Sequence, residues 1–169
     1  MIIPIDEFPK LREEKLKGKT IVSTSGFFDP LHPGHTSCIV ESKKLGDVLV
    51  VVINGDQICK TKKGKPFMPE MDRAQIVNDL KGVDYVVIYD HPTEYSVLGA
   101  LKIIKPDVFA KGGDRNEKDR NTPNSPLKLE ADFIESYGGR IEYNVGKLKE
   151  WSSSNYLEEW VNHVNKSGD

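Results

Sequence analysis

The chain has too few cysteines for covalent staples. Cys38 and Cys59 are its only two, which makes neither a disulfide framework nor a zinc site and points to reduced thiols on packed elements. No apolar run approaches the roughly 20 residues of a membrane-spanning helix. The first ten residues carry Asp6, Glu7 and two prolines and lack the apolar centre of a signal peptide. Charge of one sign is missing as well: the formal net charge of −2 offers no global attraction to nucleic acid or to an anionic membrane. The expectation is a cytoplasmic protein with neither as partner. No repeat, low-complexity tract or Gly/Ser linker divides the sequence, so residues 1–169 are expected to form a single domain. The common phosphate-loop fingerprints are also lacking. No Gly-x-Gly-x-x-Gly occurs, and Gly18-Lys19-Thr20 imitates the end of a Walker loop only in part. Glu13 stands at its first glycine position, and the segment precedes a strand instead of following one.

Short β-rich runs alternating with helical patterns are what is present. They predict a Rossmann-like three-layer α/β/α fold around a five-stranded parallel sheet. The strands are expected at Thr20–Ser25, Asp47–Ile53, Tyr85–Tyr89, Asp107–Ala110 and Arg140–Asn144. The run Val48-Leu49-Val50-Val51-Val52-Ile53 is apolar on both faces, as a central strand requires. Helices are expected at Gly34–Leu45, Met71–Lys81, Glu94–Lys105, Pro126–Tyr137 and Asn155–Val164, the last with repeating apolar positions Tyr156, Leu157, Trp160, Val161 and Val164. Gln57–Met68, rich in lysine, and the polar stretch Gly112–Ser125 read as irregular. Both border the carboxyl ends of strands, where open parallel sheets bind ligands.

Chemistry concentrates in Ser25-Gly26-Phe27-Phe28-Asp29-Pro30-Leu31-His32-Pro33-Gly34-His35. A strand runs into a glycine turn, and a histidine pair opens the next helix, whose amides and dipole attract an anion. Two imidazoles there can donate to oxygens whose charge grows during transfer at phosphorus. His-x-x-His could also chelate a metal, but beyond Asp29 no third ligand is evident, so no metal site is assigned. His91 and His163 have no such setting and are assigned nothing.

The pattern Gly26, Phe28, Asp29, His32, Gly34 and His35 resembles the signature of the cytidylyltransferase-like nucleotidylyltransferases. Leu45-Gly46-Asp47, Val83-Asp84-Tyr85, Pro106-Asp107-Val108, Lys111-Gly112-Gly113-Asp114 and Gly138-Gly139 extend the likeness from about Glu7 to Trp160. Together they are most similar to the ADP-heptose-forming heptose-phosphate adenylyltransferase domain. The resemblance implies an enzyme in which an acceptor phosphate attacks the α-phosphorus of ATP or CTP in line, with Mg²⁺, releasing pyrophosphate. It implies His32, His35 and Lys62 as catalytic residues. On the nucleotide side it implies Ser25, Gly26, Phe27, Phe28, Gly34, Arg73, Lys111, Gly113 and Asp114. Lys147 with Ser152, Ser153 and Ser154 stands where the family carries a further phosphate-binding motif. Lys60 and Lys63 are assigned to the acceptor, a phosphorylated sugar or polyol. A homodimer is expected by analogy. The alternatives are a glycerol-3-phosphate-type cytidylyltransferase and a nucleotide-binding protein without turnover.

Overall fold

The computed structural model describes residues 1–113, 115–147, 150 and 152–166. All five expected strands are present, β1 (Ile21–Gly26), β2 (Val48–Asn54), β3 (Tyr85–Tyr89), β4 (Val108–Gly112) and β5 (Arg140–Val145). They form one parallel sheet in the order β3-β2-β1-β4-β5. The order reverses between β1 and β4, so the switch point that attracts ligands in such sheets lies beside the β1 loop.

Three aspartates that precede strands set the register. The carboxylates of Asp47, Asp107 and Asp84 accept the backbone N–H of Thr20, Ile21 and Leu49, at 2.8, 2.7 and 2.7 Å. Each satisfies an amide at the entry of the neighbouring strand. The short Gly-Asp, Pro-Asp and Val-Asp motifs therefore act as sheet clamps.

Side chains alternate across the sheet and build two cores. On one face Ile21, Val48, Val50, Val52 and Phe109 pack with α1 (Phe8–Lys15), α5 (Leu98–Ile104) and α7 (Pro126–Ser136). On the other, Val22, Leu49, Val51 and Ile53 pack with α2 (Pro33–Lys43) and α4 (Glu70–Asn78). This is the three-layer α/β/α arrangement. Helix α7 ends as expected, with Gly138 at φ 88°.

The structure departs from the sequence reading in four elements. Gln57–Met68 is not irregular, because α3 (Asp56–Lys63) occupies most of it, with Ile58 and Cys59 buried. Helix α1 was not expected, and it forms by burying Phe8 edge-on against Tyr85. The helix expected from Glu94 begins only at Leu98, and the short α6 (Glu117–Arg120) lies inside the second irregular stretch. The last expected helix is present as α8 (Ser153–Lys166), and its apolar stripe lies in solvent, with Trp160 65% exposed. Among the described residues no helix is long and apolar enough to cross a membrane.

Candidate active site

The β1–α2 turn builds the site from a local constraint. Pro33 suits the first helical position, and His32 caps α2 with its own ring, Nδ1 accepting the Gly34 N–H at 3.1 Å. An accepting Nδ1 places the proton of the neutral ring on Nε2. A Cβ on Gly34 would lie 3.0 Å from the His32 ring, so glycine is what lets that ring fold over the helix end. His35, one turn on, stacks on His32 with centroids 3.7 Å apart, and the buried Phe28 ring stands 5.0 Å behind it. Two imidazoles and the α2 amides thus share one positive pole.

Asp29 holds this turn in place. Its carboxylate is buried and accepts the N–H groups of Phe67 and Met68, both at 2.8 Å. Burial, with the Asp29 charge next, pushes the nearby Cys59 thiol above its ordinary value.

A cavity of about 620 Å³ opens at the switch point. Ser25, Gly26, Phe27, Phe28, His32, Gly34 and His35 line it from the β1 turn. Lys111 and Gly113 line it from β4, and Lys147 with Ser152, Ser153 and Ser154 from the last loop. Lys62 and Lys63 close another side, their ammonium groups 5.6 and 4.8 Å from the Phe27 ring centroid. Desolvation holds the Lys62 ammonium below its ordinary value. Glu130 opposes that shift, and the cations of Arg115, Lys111 and Lys63 add to it.

Two expected site residues are not among the lining. Lys60 is exposed on α3 and does not line the cavity. Arg73 is wholly buried, and its guanidinium is committed to the protein. It donates to the carbonyls of Phe27 and Asn54 at 2.8 Å and of Met68 at 3.0 Å, and it pairs with Asp56 at 2.7 Å. It braces the loops under the cavity. Asp114, with Leu148, Lys149 and Trp151, lies outside the described residues.

The serines have structural partners too. Ser152 and Asn155 cap α8 reciprocally, each N–H donating to the other's side-chain oxygen. Ser153 donates to the Pro30 carbonyl at 2.8 Å, which ties α8 to the histidine turn.

Sequence reasoning missed several lining residues, chiefly Asn54, Tyr95, Arg115 and Glu130. Signals for two of them were available. Asn54 ends an otherwise wholly apolar strand, and Glu130 interrupts the apolar stripe Leu127, Ala131, Ile134 of α7. Among the described residues no group of three or more His, Cys, Asp or Glu is placed to hold a metal ion.

Comparison with known proteins fits this geometry. The family model described as cytidylyltransferase-like matches residues 23–154. The bifunctional protein HldE of Nitratiruptor sp. is 43% identical over 147 residues, covering 81% of this chain and 31% of that protein. HldE of Syntrophotalea carbinolica is 39% identical over 150 residues, covering 88% and 28%. The chain therefore spans less than a third of the length of these relatives. Among solved structures, a lipopolysaccharide core biosynthesis protein from Thermoplasma volcanium superposes with a TM-score of 0.61 at 28% identity, covering 79% of this chain and all of that one. A pantoate-beta-alanine ligase from Francisella tularensis shares the fold, with a TM-score of 0.64 at 19% identity over 93% of this chain and 72% of the other.

Proposed function

The chain belongs to the cytidylyltransferase-like family, and on that premise we propose that it is a cytoplasmic nucleotidylyltransferase that moves NMP from ATP or CTP to a phosphorylated sugar or polyol, as heptose-phosphate adenylyltransferase domains do. The observation that carries this reading is the stacked His32–His35 pair at the α2 N-terminus, facing one cavity with Lys62 and Lys63. An acceptor phosphate oxygen attacks the α-phosphorus, forming a new P–O bond as the bond to the β-phosphate oxygen breaks and pyrophosphate leaves. His32 and His35 stabilise the charge that grows on the transferring phosphoryl group. Lys62 and Lys63 hold the acceptor phosphate against an already anionic triphosphate, overcoming the repulsion that would keep the two apart. Mg²⁺ accompanies the nucleotide as its counter-ion. The test is a matrix of the four NTPs against sugar, polyol and alcohol phosphates, scored by pyrophosphate release. Release with no pair rejects turnover. CTP with glycerol phosphate as the best pair assigns cytidylyl transfer instead.

The lysines separate by variant. Lys62→Ala is expected to raise the acceptor KM at least ~10-fold, about 1.4 kcal/mol, with the NTP KM nearly unchanged. Lys60→Ala is expected to match wild type, since Lys60 does not line the cavity. Steady-state kinetics at moderate salt reads both, and a silent Lys62→Ala places the acceptor phosphate elsewhere.

Replacing Ser152, Ser153 and Ser154 together with alanine removes the Ser152 hydroxyl that accepts the Asn155 N–H at the start of α8, and the Pro30 contact. A stability loss of ~1 kcal/mol is expected from the cap alone. If the hydroxyls also hold the outer phosphates, calorimetric titration will show NTP affinity falling much more than NMP affinity. Equal losses for the two nucleotides would leave the serines with a capping role.

A further inference from the structure

We infer that the α5–α7 side of the cavity is a hydroxyl-reading subsite, in which Asn54 and Glu130 recognise the carbon chain of a polyhydroxylated acceptor. The inference rests on the NMP-transfer reading for the acceptor's identity, while the subsite itself rests on geometry. Alternation of side chains divides the cavity between the two faces of the sheet. The histidine pair belongs to the α2 face. Ser25, Asn54 and Lys111 project on the other, in step with Ile21, Val52 and Phe109, and Glu130 reaches Lys111 from α7.

Both recognition groups are buried and incompletely used. Asn54 is 7% exposed, and its side-chain oxygen finds no hydrogen-bond partner among the described residues. Its backbone carbonyl is held by the Arg73 guanidinium at 2.8 Å. Glu130 is 4% exposed. One carboxylate oxygen takes the Ser96 hydroxyl at 2.9 Å and the Val97 N–H at 3.2 Å. The other meets the Lys111 ammonium at a long 3.3 Å, and that ammonium stands 3.4 Å from the Ser25 hydroxyl. A carboxylate oxygen accepts from two directions and an ammonium donates in three, so this pair has capacity left. Neighbouring hydroxyls of a polyol can donate to Glu130 and accept from Lys111 together, while another hydroxyl satisfies Asn54. Val97 and Leu127 supply apolar wall for the C–H groups between them.

The same groups select against other alcohols. An alkyl phosphate would leave the Asn54 amide oxygen unsatisfied and the remaining capacity of the Glu130–Lys111 pair unused, the kind of mismatch that polar pockets reject most strongly.

The test uses the whole chain as wild type, Glu130→Gln and Asn54→Ala, with melting curves to confirm folding. Each is titrated by calorimetry, in the presence of a non-hydrolysable NTP, with the sugar and polyol phosphates of the acceptor panel and with propyl phosphate as the hydroxyl-free partner. Wild type is expected to bind at least one polyhydroxyl phosphate ~10-fold or more tighter than propyl phosphate. Each variant is expected to lose most of that ratio. A Glu130 that merely positioned Lys111 would weaken all phosphates alike and leave the ratio intact. If Glu130→Gln fails to fold, Asn54→Ala decides. Propyl phosphate binding as well as every polyhydroxyl phosphate, or a ratio that survives in the folded variants, overturns the subsite. Pyrophosphate release in the same mixtures judges the transfer reading separately. Selective binding without release rejects transfer and keeps the subsite, and release without selectivity does the reverse.

Discussion

His35→Ala is expected to fold normally and to lose ~10²–10³ in kcat, the usual consequence of removing one donor aimed at developing charge. The ring stands at the third position of α2, stacked between His32 and Phe28, so its imidazole is held beside the helix amides without further reorganisation. Truncation removes a donor and leaves the dipole, which explains why a residual rate should remain. His32→Ala is expected to lose a similar factor and, in addition, the cap on the Gly34 N–H, costing about 1 kcal/mol of stability. The two variants thus differ in melting temperature and agree in rate. Initial rates at saturating NTP and acceptor, with thermal melts alongside, provide both readings. If both variants turn over near the wild-type rate, the histidine pair is not the catalytic centre.

Arg73→Met is expected to be the most destabilising single change at the site. The guanidinium has no exposed surface and bonds three carbonyls and one carboxylate drawn from the β1 turn, the end of β2, and the α3–α4 region. Removing it leaves the partly exposed Asp56 and the three carbonyls without their donor, a loss of roughly 3–5 kcal/mol from acceptors left unsatisfied together. For a chain of this size that corresponds to a fall in Tm of about 6–20 °C. Arg73→Lys should not rescue it, because one ammonium cannot replace a planar fork that serves four acceptors. Differential scanning calorimetry reads the shift. A variant that melts within ~2 °C of wild type yet binds NTP ~10-fold more weakly would restore Arg73 to the nucleotide, as its sequence position suggests.

The contrast between these two residues marks how far the sequence could be read. His32 and His35 were legible because their setting is local. Proline, glycine and two histidines at one strand–helix junction specify cap, dipole and ring positions within four residues. Arg73 was not, because its partners come from Phe27, Asn54 and Asp56, and nothing local states that a charged side chain on α4 turns inward. Helix α3 was missed for a related reason. Its N-cap is Gly55, which has no side chain to offer, and the Asp90 carboxylate supplies the cap from the end of β3 by accepting the Gln57 and Ile58 N–H groups at 3.0 Å. A lysine-rich stretch without a local cap reads as a loop until that distant carboxylate is in place.

What the sequence determined by itself is the set of five strands and the strand–helix turn that lines the cavity. Strand burial is written as runs of apolar residues, and a helix-end anion site is written as a contiguous motif. Tertiary structure alone decided which cations face the cavity, that Arg73 braces it, that the α8 stripe stays in solvent, and that Asn54 and Glu130 line one cavity. The physical reason is that these properties belong to pairs. Whether a polar side chain is satisfied, and whether an apolar one is covered, depends on what the fold brings against it from far along the chain.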